Sequence, residues 1–119
     1  MFLFDTYAII EVIKGNSNYK DYTTAKIIIN KFILTELTYW LISNYGVEIA
    51  SKYIDDYMKF VKDFDVEIIK KAMSFRHKNK DKRLSMTDCI SYFQARELEI
   101  KFLTGDKQFE SLEGVEFVK

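Results

Sequence analysis

Proline is absent from this 119-residue chain, glycine occurs four times and cysteine once. With so few residues that break or bend a chain, mostly regular structure with short connections is expected. The single Cys89 excludes an internal disulfide and any cysteine-based zinc site. An excess of charge is missing too: eighteen acids balance eighteen lysines and arginines. Overall positive charge therefore cannot hold a polyanion, and any nucleic-acid contact has to be local. No apolar run approaches the roughly 20 residues that span a bilayer. Asp5 interrupts the apolar start before a signal-peptide pattern develops. These absences lead to the expectation of a soluble, cytoplasmic protein with no membrane contact. What is present is apolar substance, 48% of the residues, enough for one domain over residues 1–119 to fold around its own core.

The pattern along the chain alternates between strands and helices. Phe2-Leu3-Phe4 reads as a short buried strand ending at Asp5, and Tyr7 to Lys14 as a helix stopped by Gly15-Asn16-Ser17-Asn18. Ala25 to Ile29, with three consecutive isoleucines, has the composition of a strand covered on both faces. Asn30 is a suitable N-cap for a helix to about Asn44, with Gly46 as its terminator. Val47 to about Met58 predicts another helix, and Phe60 to Asp63 a short edge strand. Asp65 is a candidate cap for a helix from Val66 to about Phe75, and Arg76 to Arg83 reads as a frayed basic end and loop. Ser85 and Asp88 are spaced as a capping box at the start of a helix to about Leu98. Lys101–Leu103 is a strand, Lys107–Ser111 a helical turn and Val115–Val118 a last strand. Such alternation implies a parallel sheet with helices on both faces.

In folds of that kind the working crevice lies at the carboxyl ends of the strands. Asp5 follows the first strand directly, and Asp106 follows the Lys101–Leu103 strand after Thr104 and Gly105. Asp88 lies in the first turn of one helix and Glu36 in the first half of another. Four carboxylates brought to one crevice would repel one another unless a cation sat between them. A hard divalent ion suits oxygen ligands and needs only one or two direct carboxylates. Three of the four acids also have a purely structural reading: Asp5 and Asp88 as helix caps, Glu36 as an exposed helical residue.

The segments Phe2-Leu3-Phe4-Asp5-Thr6 and Leu34-Thr35-Glu36-Leu37 resemble the first two motifs of the PIN-domain family. Leu84-Ser85-Met86-Thr87-Asp88 and Phe102-Leu103-Thr104-Gly105-Asp106-Lys107-Gln108-Phe109 resemble the latter half of VapC-type toxins, ribonucleases paired with an antitoxin. The resemblance implies a three-layer α/β/α fold with a central parallel sheet of four to five strands. It implies an acidic tetrad of Asp5, Glu36, Asp88 and Asp106, binding one or two Mg²⁺ or Mn²⁺ ions and cleaving RNA by a metal-activated water. Thr6 and Ser85 would support the first and third motifs, and Thr104 would orient the Asp106 carboxylate or a metal-bound water. A cognate antitoxin and a homodimer are implied as partners. Two departures stand out. Glu99 occupies a place where the family often has glycine, so that helix end should be capped differently. Ser91-Tyr92-Phe93 is bulkier than the alanine-rich run often found there, which bears on helix packing and groove width.

Most of the other notable residues have two readings. The basic run Lys70, Lys71, Arg76, Lys78, Lys80, Lys82 and Arg83 is either a solvated helix end with cations favourably near its carboxyl terminus or an RNA-phosphate arm. Arg76, Lys78, Lys80, Lys82 and Arg83 are the candidates for that arm. His77 is an exposed loop residue or a general base, and Cys89 a small core residue. Tyr39, Trp40, Tyr45, Tyr53 and Tyr57 belong to the core or to a partner surface. The alternative to a nuclease is a catalytically silent PIN-like module that binds RNA or protein; loss of an acid would mark it, and all four are present.

Overall fold

The computed structural model describes residues 1–119. Four strands, β1 (Phe2–Phe4), β2 (Ile27–Ile28), β3 (Lys101–Thr104) and β4 (Val115–Phe117), form one sheet in the order β2-β1-β3-β4. Every pairing is parallel. Five α-helices connect them: α1 (Thr6–Ile13), α2 (Lys31–Tyr45), α3 (Val47–Tyr57), α4 (Val66–Lys78) and α5 (Met86–Glu97). The central strands bury consecutive residues, Leu3 with Phe4 and Phe102 with Leu103. Burial on both faces of a strand requires a helical layer on each side, and right-handed crossovers put α1 and α5 on opposite faces. No helix is long and apolar enough to cross a membrane.

The expected fifth strand, Phe60–Asp63, shrinks to one parallel bridge between Ile29 and Val61. The preceding chain winds into a 3-10 turn at Met58–Phe60, which leaves little extended backbone to pair. Ser17–Tyr22 is a 3-10 helix where only a stop is expected, and its Tyr19 is fully buried. Asn30 caps α2 as its position suggests, accepting from the Ile33 N–H at 2.9 Å. Its amide also donates to Ser91 Oγ and Gln94 Oε1, both at 3.0 Å, tying α2 to α5 inside the core. A fully satisfied buried amide of this kind fixes one packing arrangement. Asp65 precedes α4 without a side-chain cap bond.

The bulk of Tyr92 and Phe93 is absorbed in an aromatic cluster with Phe75, Phe102 and Phe109. The end of α5 corrects the expectation about Glu99. The Ile100 N–H donates to the Ala95 carbonyl and the Glu99 N–H to that of Arg96, the paired bonds of a Schellman cap. Glu99 itself takes the left-handed conformation at φ 57°. The cap therefore has its usual form, with a residue whose Cβ strains it. Glu99→Gly is expected to raise unfolding stability by about 1 kcal/mol, with Glu99→Ala giving no comparable gain, as read by urea denaturation.

Candidate active site

The β1–β3 register creates the site. Phe4 lies opposite Leu103, and the Asp5 N–H donates to the Leu103 carbonyl at 3.0 Å, which sets Asp5 beside Thr104. β1 and β3 are also the neighbours at which the strand order reverses, the position where α/β sheets open a crevice. Asp5 is only 2% exposed. One of its carboxylate oxygens caps α1, accepting from the Ala8 N–H at 2.7 Å. The other accepts from the Thr104 hydroxyl at 2.5 Å. Thr104 Oγ in turn accepts the Asp106 backbone N–H at 3.0 Å. Thr104 thus orients Asp5 rather than the Asp106 carboxylate, which instead caps the 3-10 turn Lys107–Phe109 by accepting from the Gln108 N–H at 2.9 Å.

Asp88 arrives from the other layer. Ser85 Oγ accepts the Asp88 N–H at 3.2 Å, the forward half of the capping box. The Asp88 carboxylate makes no return bond and faces the cleft, so the cap belongs to Ser85 alone. Asp5, Asp88 and Asp106 line that cleft, about 380 Å³ in volume, together with Tyr7, Gly105, Lys107 and Lys119. Glu36, exposed on α2, stands at its edge and is joined to it by Thr6, whose hydroxyl donates to a Glu36 oxygen at 2.5 Å. Thr6 therefore links the first and second acid-bearing segments.

Burial pushes the Asp5 carboxyl up to about 7; its two hydrogen bonds oppose the rise, and Asp106 and Glu36 add to it. Burial likewise pushes Asp88 up to about 8, reinforced by the negative charges of Asp5, Glu36 and Asp106. None of the four acids is in a salt bridge. Lys107 and Lys119 line the same cleft without pairing with the acids, so no ion pair neutralises the concentrated negative charge. No three acids stand close enough to hold an ion by protein ligands alone. The donor set fits a hard ion that keeps part of its water shell and takes one or two direct carboxylates.

Several cleft residues could not be picked out along the sequence. Lys119 donates from Nζ to the Gly105 carbonyl at 3.2 Å and lies 5.2 Å from the centre of the Tyr7 ring. Gly105 has no room for a side chain, since a Cβ would come within 2.3 Å of the Tyr7 ring. The residues meeting here come from positions 7, 105 and 119, and only the fold joins them. Of the basic candidates, Arg76 is engaged internally, donating from Nε to the Leu84 carbonyl at 2.6 Å. Lys78, Lys80, Lys82 and Arg83 are exposed.

The sequence profile of the PIN domain matches residues 2–115. A search of curated proteins finds no match. Among solved structures, a toxin–antitoxin complex from Klebsiella pneumoniae superposes with a TM-score of 0.77 at 19% identity, covering 98% of this chain and 96% of that one. VapC20 of Mycobacterium tuberculosis, described as a toxin that cleaves the sarcin–ricin loop, gives 0.78 at 14% identity with both chains covered completely, at 100%. A DNA-bound VapBC2 from Rickettsia felis gives 0.72 at 16% identity over 98% of this chain and 96% of that one. At such identities the likeness is one of fold.

Asp5 and Asp88 keep their protons to higher pH in the folded chain than in the unfolded one. Stability of the metal-free protein should therefore fall as pH rises from the ordinary carboxylate value of 3.8 towards about 8. Melting in EDTA at pH 5 and pH 8 tests this, and Asp88→Asn is expected to shrink the difference between the two. An unchanged difference would mean that Asp88 titrates as an ordinary surface acid.

Proposed function

The chain belongs to the PIN-domain family, and from that premise we propose that it is a metal-dependent endoribonuclease, the toxin of a toxin–antitoxin pair. The observation that carries the reading is the convergence of Asp5, Asp88 and Asp106 on one cleft, with Glu36 at its edge and none of the four in a salt bridge. One or two Mg²⁺ or Mn²⁺ ions would be held by Asp5 and Asp106, with Asp88 and Glu36 binding directly or through water. Bound there, the ion would supply an activated water and neutralise charge on the phosphodiester. Thr104 and the first turn of α1 hold the Asp5 carboxylate in one orientation. Thr6 does the same for Glu36. Ser85 stabilises the start of α5 and leaves the Asp88 carboxylate free.

The partners follow from the same reading: RNA as substrate, a cognate antitoxin, and a second copy of the chain in a homodimer. Support for protein partners comes from the exposed apolar residues of α2 and α3, including Tyr39, Ile42, Val47 and Ile49. A silent binding module is the less favoured reading, because none of the four acids is missing.

Asn at position 5 retains an oxygen for the Ala8 N–H, so Asp5→Asn should fold normally. It is expected to abolish cleavage of a mixed RNA pool that the unaltered protein cuts with Mn²⁺ or Mg²⁺ and not with EDTA. Full activity in the variant would remove Asp5 from the mechanism. Absence of cleavage by either protein would favour the binding module.

A further inference from the structure

A second cleft, about 420 Å³, lies away from the acids and is lined by Lys70, Lys71, Ser74, Phe75, Lys78 and Phe93. It runs between α4 and α5. The connection from Lys78 to Met86 is short, so the two helices are antiparallel neighbours. The Lys78 end of the groove is consequently beside the start of α5, the helix that carries Asp88 into the acid cleft. Residues 70–83 hold seven lysines and arginines and one acid, in a chain whose net charge is zero. Cations near the end of a helix are ordinarily explained by its dipole. That accounts for Lys78 in the last turn of α4 but not for Lys70 and Lys71 in its middle. Lys70 pairs with Glu67 at 3.2 Å. Lys71 and Lys78 have no acidic partner.

Between these cations lie two aromatic rings. Phe75 and Phe93 are half-buried and meet edge to face with centroids 5.5 Å apart. Lysines tracking a backbone beside aromatic rings that accept bases are the means by which proteins hold unpaired strands. We propose that the α4–α5 groove binds single-stranded RNA flanking the cleavage point, with phosphates on Lys71 and Lys78 and a base against Phe75 and Phe93. The inference rests on the nuclease reading and adds a path for the strand outside the acid cleft. An acidic peptide would meet the same lysines but offers nothing to stack on the rings. A second copy of the chain is a poor occupant, since a two-fold contact would set these lysines against one another.

The test is binding of a fluorescent single-stranded RNA oligonucleotide of mixed sequence to the non-cleaving Asp5→Asn protein in Mg²⁺ across a salt series. Adding Lys71→Gln and Lys78→Gln should weaken binding on the order of tenfold and make the log–log salt dependence shallower by about 1.4, roughly 0.7 for each phosphate no longer neutralised. Phe93→Leu should weaken binding with the salt dependence unchanged. Both lysines are exposed, so their replacement should leave the melting temperature as it was. Unchanged affinity and salt dependence in the double lysine variant would overturn the groove. So would loss of polyglutamate binding with RNA binding intact. Cleavage of the RNA pool by the unaltered protein separates the two failures: with it, only the groove fails, and without it and without RNA binding, the nuclease reading goes as well.

Discussion

Removing a carboxylate from water is costly, and the penalty grows when other carboxylates face it. Asp5 meets both conditions. Its oxygens are held by the Ala8 N–H and the Thr104 hydroxyl, and those two bonds come from different parts of the fold. The first requires α1 to begin immediately after β1. The second requires β1 and β3 to pair in one register, because a slip of a single residue would turn Thr104 to the opposite face. Gly105 must then let Tyr7 close over the turn. Local helix initiation, strand register and a side-chain-free position thus meet at one buried acid.

The same arrangement explains why a site of this kind works against the stability of the chain that holds it. Burial, reinforced by the neighbouring acids, raises the proton affinity of Asp5 and Asp88, and the chain supplies no ion pair to relieve them. A divalent ion would relieve all of them together, so ion binding and folding should support each other. Features remote from the cleft carry the opposite tendency. The Asn30 amide is fully satisfied between α2 and α5, and the core is one continuous cluster from Leu3 to Phe109. The acid cleft is frustrated within a scaffold that is not, a common division at functional sites.

Much of this is legible in the sequence, and the limits have physical causes. Asp5 and Asp106 can be assigned to one edge because both follow strands of a parallel sheet, and every such sheet opens at that edge. Asn30 and Ser85 are legible as caps because capping depends on a few adjacent residues. Register depends on pairing across a hundred residues, so the target of the Thr104 hydroxyl is not legible. Nor is the approach of Lys119 to Tyr7. Residues 76–78 read as a frayed helix end because charged residues dominate them, and they form the full last turn of α4, where a basic end complements the helix dipole. Glu99 reads as a departure from a glycine cap. The backbone keeps the capped shape and places the strain on Glu99.

The chain as a whole carries no net charge, with acids gathered at one cleft and bases along α4, and that balance governs how a long polyanion would find the molecule. From afar the opposite contributions cancel, leaving a dipolar field that orients a visitor more than it draws one in. The basic ridge is felt on its own only within about a Debye length, roughly 8 Å in physiological salt. Encounter of a polyanion with such a surface would be slow by the standard of strongly charged proteins. Its rate would depend more on local concentration than on long-range pull.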